Sequence, residues 1–179
     1  MEIHASSHGR WLGTCLYNRG AGTDLKVFCN PGAKFNEVIR HARPRWNVVT
    51  VIIAGGNDVD MSRTAKEIVD GMNIEVIKEQ ATRRNGFVVW VELFKRFDQG
   101  EAFNRKVREV SKRMAKKFIR RRTSRRNVAV LRSKNLGREN FTGDGIHLNE
   151  IGKARLADKL FWLYDQGFEA VTSFDQLEL

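Results

Sequence analysis

Residues 48–54 read Val-Val-Thr-Val-Ile-Ile-Ala, a β-branched run whose one polar side chain is Thr50. A strand without a polar face must be covered on both sides, which is the position of a central strand in a parallel sheet flanked by helices. Similar runs occur at Glu2–Ala5, Leu25–Cys29, Gly86–Val91 and Asn127–Leu131. Between them, amphipathic stretches predict helices over His8–Asn18, Lys34–His41, Arg63–Thr82 and Glu101–Arg120, with a last helix from Glu150 to Tyr164. Strand and helix alternate throughout, the pattern of an α/β protein with helices on both faces of a parallel sheet. No repeat or Pro/Gly/Ser linker interrupts it, and 179 residues with 41% hydrophobic content suffice for one domain with its own core. The tail Gly167–Leu179 finds no place in this pattern.

Charge is distributed unevenly. Residues 105–126 hold twelve Lys/Arg against Glu109 alone, a net of +11, while the other 157 residues carry 20 basic and 20 acidic side chains. Phe103, Val107, Val110, Met114 and Phe118 recur at helical spacing through this segment, so one face is expected to dock on the sheet while cations cover the rest. Like charges three or four residues apart work against a helix. A cation face of this density is therefore expected to meet a polyanion, through Arg105, Lys106, Arg108, Lys112, Arg113, Lys116, Lys117, Arg120, Arg121, Arg122, Arg125 and Arg126. RNA or another single-stranded nucleic acid, bound by charge and without sequence preference, is the first expectation, and an anionic membrane surface the second.

No apolar run approaches the roughly 20 residues of a membrane helix, and the N-terminus lacks an apolar signal core, so a cytoplasmic protein is expected. Cys15 and Cys29 lack any CxxC or Cys/His metal spacing and read as reduced thiols, so neither a metal site nor a cofactor is expected.

Ligands of parallel α/β sheets sit beyond the carboxyl ends of the strands. Those ends read Ser6-Ser7-His8-Gly9, Asn30-Pro31-Gly32-Ala33 and Gly55-Gly56-Asn57-Asp58, and Asp144-Gly145-Ile146-His147-Leu148-Asn149 precedes the last helix. They supply a hydroxyl, glycine turns, a side-chain amide and an Asp/His pair. Singly, each has an ordinary structural reading: Ser7 as a helix cap, Gly32 and Gly55–Asp58 as turns, Asp144-Gly145 as a turn dipeptide and His147 as a buried structural histidine. Together they contain the parts of a serine-nucleophile acyl-transfer site. His4, His8 and His41 have no such company and read as structural or solvent-facing, with His8 adjoining the cleft beside Ser7.

From Ala5 to about Tyr164 the sequence resembles the SGNH (GDSL-like) hydrolase family. Ala5-Ser6-Ser7 resembles the family's GDS nucleophile block, Pro31-Gly32-Ala33 its second block, Gly55-Gly56-Asn57-Asp58 its GxND block, and Asp144–Asn149 its DxxHLN block. The family's usual Gly-Asp before the serine is replaced by Ala5-Ser6. The resemblance implies a flavodoxin-like three-layer α/β/α sandwich around a five-stranded parallel sheet. It further implies Ser7 as nucleophile, His147 as base, Asp144 as its orienting acid, and an oxyanion hole from the Ser7 and Gly32 N–H groups and the Asn57 amide. Ser-Ser-His-Gly-Arg (6–10), Pro-Gly-Ala-Lys-Phe (31–35) and the basic helix are most similar to esterase domains in the first open-reading-frame proteins of LINE-type retrotransposons. A further relative, the C-terminal domain of the germ-plasm protein Oskar, keeps the fold without catalytic residues and binds RNA. The expected activity is hydrolysis of short acyl or acetyl esters; the alternative is an RNA-binding module that turns over little or nothing.

The chemistry explains the residue types. A serine hydroxyl is a poor nucleophile until an imidazole accepts its proton, and a carboxylate on the other ring nitrogen sets the tautomer. Donors aimed at the developing oxyanion then lower the barrier.

Overall fold

A computed structural model describes residues 1–22, 24–119, 127–133, 135–165 and 177–178. The strands are β1 (Glu2–Ala5), β2 (Lys26–Cys29), β3 (Val49–Ile53), β4 (Phe87–Val91), β5 (Val128–Arg132) and a two-residue β6 (Leu177–Glu178). The helices are α1 (Leu12–Tyr17), α2 (Phe35–Ile39), α3 (Ala65–Asp70), α4 (Ile74–Arg83), α5 (Glu101–Ile119) and α6 (Glu150–Asp165). All paired strands are parallel, in the order β2-β1-β3-β4-β5-β6. The five expected strands are present, and part of the unassigned tail adds β6 by pairing Leu177 with Leu131 and Glu178 with Arg132.

Strand periodicity sorts the core into two layers. Val49, Val51, Ile53, Phe87, Val89, Val91, Ala129 and Leu131 face α1 and α6, meeting Leu12, Leu16, Leu156 and Leu160. Ile52, Val88, Trp90 and Val130 point the other way, onto Phe35 of α2, Ile68 of α3, Ile77 of α4 and Val110, Met114 and Phe118 of α5. The result is a three-layer α/β/α sandwich. β3 and β4 are buried along their whole length, as a run without a polar face requires. The apolar stripe of α5 docks as its spacing predicts, with Val107, Val110, Met114 and Phe118 buried and Phe103 at the margin.

Two predicted helices are shorter than the sequence suggests. Over His8–Asn18 the chain makes a 3₁₀ turn at Ser7–Gly9 and enters α1 only after Trp11, whose φ of 63° is left-handed and cannot propagate a helix. The stretch Arg63–Thr82 divides into α3 and α4, because α3 ends at Gly71 and a new helix begins after Asn73. α3 starts on a capping box in which Thr64 and Glu67 satisfy each other's backbone amides. The basic helix runs through Ile119, and Arg120, Arg121, Arg122, Arg125 and Arg126 lie outside the described residues.

Candidate active site

The chain leaves β1 for β2 on one side and returns to pair β3 on the other, so the loops after β1 and β3 diverge at the carboxyl edge and open a crevice between them. Ser7 follows β1 and Asn57 follows β3, one on each side of that crevice. Both line a small cavity of about 40 Å3, walled also by His8, Leu93, Phe94, Arg96 and Ile146.

The segment around Ser7 is held by contacts that do not involve the Ser7 side chain. Ser6 N–H donates to Ile53 O at 3.0 Å, and Gly9 and Arg10 N–H close the 3₁₀ turn onto Ser6 O and Ser7 O. Ser6 Oγ also reaches Ile53 O at 3.4 Å, and Cys29 Sγ donates to Ser6 O at 3.1 Å. Ala5-Ser6 therefore supports the turn in place of Gly-Asp, by backbone bonds and one hydroxyl.

The Asp144–His147 block is tied together by hydrogen bonds to both oxygens of the Asp144 carboxylate. His147 Nδ1 lies 2.6 Å from Asp144 Oδ2, while Asp144 Oδ1 accepts the Ile146 and His147 amides at 2.8 and 3.1 Å. Thr142 Oγ1 stands 2.5 Å from the same oxygen. The Thr142 hydroxyl first, then the His147 ring and these amides, hold the Asp144 carboxyl well below the usual carboxylate range. With Nδ1–H donated to Asp144, Nε2 carries the lone pair a base needs.

The surrounding loop is clasped from several sides. Arg138 donates to Thr142 O at 2.7 Å and Gly143 O at 3.0 Å, and Phe97 N–H donates to Gly145 O at 2.7 Å. Gly145 has φ 70°, and a Cβ there would lie 2.7 Å from Asp98 N, so only glycine fits this crossing. Asn149 Oδ1 accepts the Gly152 amide at 2.9 Å and so caps α6.

On the opposite wall, Asn57 Nδ2 donates one hydrogen to Ala33 O at 3.0 Å, leaving its second for a ligand. Asp58 Oδ2 accepts the Phe35 amide at 2.8 Å. Gly55 enters this turn with φ 115°, and the preceding carbonyl, Ala54 O, accepts the Trp90 indole N–H at 3.1 Å.

The structure brings Ser7 and Asn57 to one cavity and places His147 next to it, its ring centroid 6.0 Å from that of His8. Ser7 and His147 make no hydrogen bond to each other, a contact that in free enzymes is often long and tightens on binding. Gly32 does not line the cavity; it sits exposed at φ 81°, one residue from the Ala33 carbonyl that Asn57 holds. Among the described residues no three His, Cys, Asp or Glu side chains are grouped to hold a metal ion.

Four residues in or near the cavity carry no catalytic role in the sequence reading. His8 packs edge-on against Phe94 with centroids 4.6 Å apart, its Nδ1 is enclosed without a hydrogen-bond partner, and burial lowers its pKa to about 3, so it is neutral. Arg96 is fixed by a two-pronged pair to Asp98 at 2.8 and 2.6 Å, which pulls the Asp98 carboxyl down to about 2. Asn104, buried on α5, holds the Arg96 backbone at both its N–H and its carbonyl. Asp58 ends the GxND-like turn, and its hydrogen-bond partner, the Phe35 amide, lies 23 residues away in the sequence.

The three-layer α/β/α fold with its parallel sheet is shared with solved structures of other proteins. Solved structures similar to this chain include a lipolytic protein of the G-D-S-L family from Veillonella parvula, at 16% identity and TM-score 0.66, covering 92% of this chain and 97% of that one. Others are a carbohydrate esterase family 3 protein from Talaromyces cellulolyticus, at 12% identity, TM-score 0.66 and coverage of 93% and 97%, and a lipase/acylhydrolase from Enterococcus faecalis, at 13%, 0.62, 93% and 96%. No family model matches the sequence, and no curated protein matches it.

Proposed function

We propose that this chain is a serine hydrolase that cleaves short acyl or acetyl esters. The observation carrying this reading is the 2.6 Å Asp144–His147 pair beside the Ser7 turn, with Asn57 facing Ser7 across the crevice. His147 Nε2 takes the Ser7 proton as Oγ attacks the ester carbonyl, and Asp144 stabilises the imidazolium. The Ser7 N–H, the free Asn57 N–H and the Gly32 N–H are the donors to the oxyanion; Gly32 reaches it if the Ala33 segment turns inward when substrate binds. His147 then protonates the departing alcohol, and water, deprotonated by the same ring, releases the acid.

A cavity of about 40 Å3 suits an acetyl-sized group. An acetyl esterase and an acetyl xylan esterase share the fold, at TM-scores of 0.64 and 0.58, which supports acetyl esters as the substrate class. The decisive experiment is covalent labelling with a fluorophosphonate probe: the wild type labels at Ser7 and Ser7→Ala does not. Labelling that persists in Ser7→Ala, or fails in the wild type, overturns the reading.

A second reading rests on charge. The exposed cations of α5, including Arg105, Arg108, Lys112, Arg113 and Lys116, support binding of single-stranded nucleic acid alongside hydrolysis. An inactive RNA-binding module is the outcome if nucleic acid binds and Ser7 does not label. No described helix is long and apolar enough to cross a membrane, and a peripheral anionic surface is the competing partner for the same cations.

A further inference from the structure

The catalytic reading leaves unused a cluster of cations at the other end of the molecule. α5 carries the chain from the carboxyl end of β4 back to the start of β5, so its last turns lie towards the amino edge of the sheet, away from Ser7. There α3, α4 and α5 enclose a cleft of about 520 Å3, a volume in the range that accommodates nucleotide-sized ligands. Lys66 of α3, Lys78 of α4 and Arg113, Lys116 and Lys117 of α5 line it, against two acids, Asp70 and Glu75.

Both acids are already engaged, Asp70 by Lys66 at 2.8 Å and Glu75 by Lys78 at 3.2 Å. The α5 cations are less compensated. Lys117 Nζ donates to the Val69 carbonyl at 3.3 Å, a neutral acceptor that fixes the ammonium without cancelling its charge. Lys78 Nζ likewise donates to Lys117 O at 2.7 Å, which ties α4 to α5 at the floor of the cleft. Arg113 has only a 3.5 Å contact to Glu109, between side chains about half exposed, and solvent screens such a pair. Positive charge is thus held in a preformed concave site rather than spread over a convex face.

We propose that this cleft seats the phosphodiester backbone of a single-stranded nucleic acid. The proposal rests on the reading of the basic segment as a polyanion surface, and it extends that surface to Lys66 and Lys78, which belong to the charge-balanced part of the sequence. The concave shape selects the occupant: a strand can thread between three helices, whereas a flat membrane brings its headgroups only to the rim. Among the described residues no aromatic side chain lines the cleft, so recognition there goes through phosphate rather than base stacking.

The test is fluorescence anisotropy of a labelled twelve-nucleotide oligouridylate titrated with the full chain between 50 and 200 mM NaCl. Each phosphate contact to a single strand contributes about 0.7 to the slope of log affinity against log salt. The triple variant Lys66→Gln/Arg113→Gln/Lys116→Gln is expected to lower that slope by about 2 and to weaken binding at least tenfold at 100 mM salt. Lys66→Glu alone, at a largely exposed position that leaves the fold undisturbed, is expected to weaken binding several-fold. A parallel variant, Arg105→Gln/Arg108→Gln/Lys112→Gln, removes cations of α5 outside the cleft. If that variant weakens binding and the cleft variants do not, the cleft assignment is overturned while the basic-surface reading stands. Absence of oligouridylate binding by the wild type, or binding only to phosphatidylserine vesicles, overturns both.

Discussion

Asp58 Oδ2 accepts the backbone N–H of Phe35 at 2.8 Å, and this one bond fastens the turn after β3 to the segment that follows β2. Asn57, its neighbour, makes a second tie through Nδ2 to Ala33 O at 3.0 Å. The loops after β2 and β3 are therefore tied to each other by two hydrogen bonds, and of the two only the loop after β3 lines the crevice. Partial burial raises the Asp58 carboxyl above its ordinary value, with the Phe35 amide pulling the other way. Asp58→Asn keeps an acceptor and removes the desolvated charge, so its stability at pH 8 is expected to equal or exceed the wild type. Asp58→Ala strands the Phe35 amide and is expected to cost about 1–3 kcal/mol in urea denaturation, with lower ester turnover.

Removing the Asn57 side chain takes away the proposed oxyanion donor as well as the bond to Ala33. Asn57→Ala is expected to reduce kcat for p-nitrophenyl acetate by about 10²–10³, with little change in KM. A kcat within threefold of wild type would remove Asn57 from the reacting site.

His8 makes stability depend on pH in a window that opens well above that of the carboxylates. Its folded pKa of about 3 lies below the ordinary histidine value of 6.5, so between those values the unfolded chain binds a proton that the folded chain does not. Stability should therefore fall as pH drops from 6.5 towards 3, by up to about 1.4 kcal/mol per unit. Asp144 and Asp98, both lowered, keep their full contribution above the ordinary carboxylate range and lose it only in more acid solution. His8→Phe should flatten the slope between pH 6.5 and 4.5, measured by urea unfolding at a series of pH values. An unchanged slope would show that His8 does not carry it.

Gly145 is where the Asp144–His147 loop crosses Phe97 and Asp98. Gly145→Ala forces a Cβ to within 2.7 Å of Asp98 N at φ 70°, which is expected to cost about 1–3 kcal/mol. Because the displaced loop carries the 2.6 Å Asp144–His147 contact, kcat should fall more than stability alone explains. Turnover measured well below the melting temperature separates the two effects.

The local patterns were readable because they depend on near neighbours in the chain. Val48–Ala54 has no polar face and becomes a strand buried on both sides; Phe103 to Phe118 keep helical spacing and dock as a stripe. The three-residue spacing of Asp144 and His147 suffices for their side chains to meet within one turn. Left-handed Trp11 was not legible, and the break between α3 and α4, although marked locally by Gly71 and Asn73, was masked by an amphipathic pattern that continues on both sides of it.

By itself the sequence determined the five long strands and the broad helical stretches between them, which residue types stand at the strand ends, and that the cations are concentrated in one segment. Tertiary structure alone decided the strand order β2-β1-β3, and with it that Ser7 and Asn57 face one crevice while Gly32 stays outside its lining. It also decided that Asp58 meets Phe35, that His8 is enclosed against Phe94, and that Lys66 and Lys78 join the α5 cations around one cleft. The physical reason is range. Propensity and periodicity act over a few residues, whereas burial, the desolvation that neutralises His8 and the pooling of charge between three helices arise only when the sheet brings distant segments together.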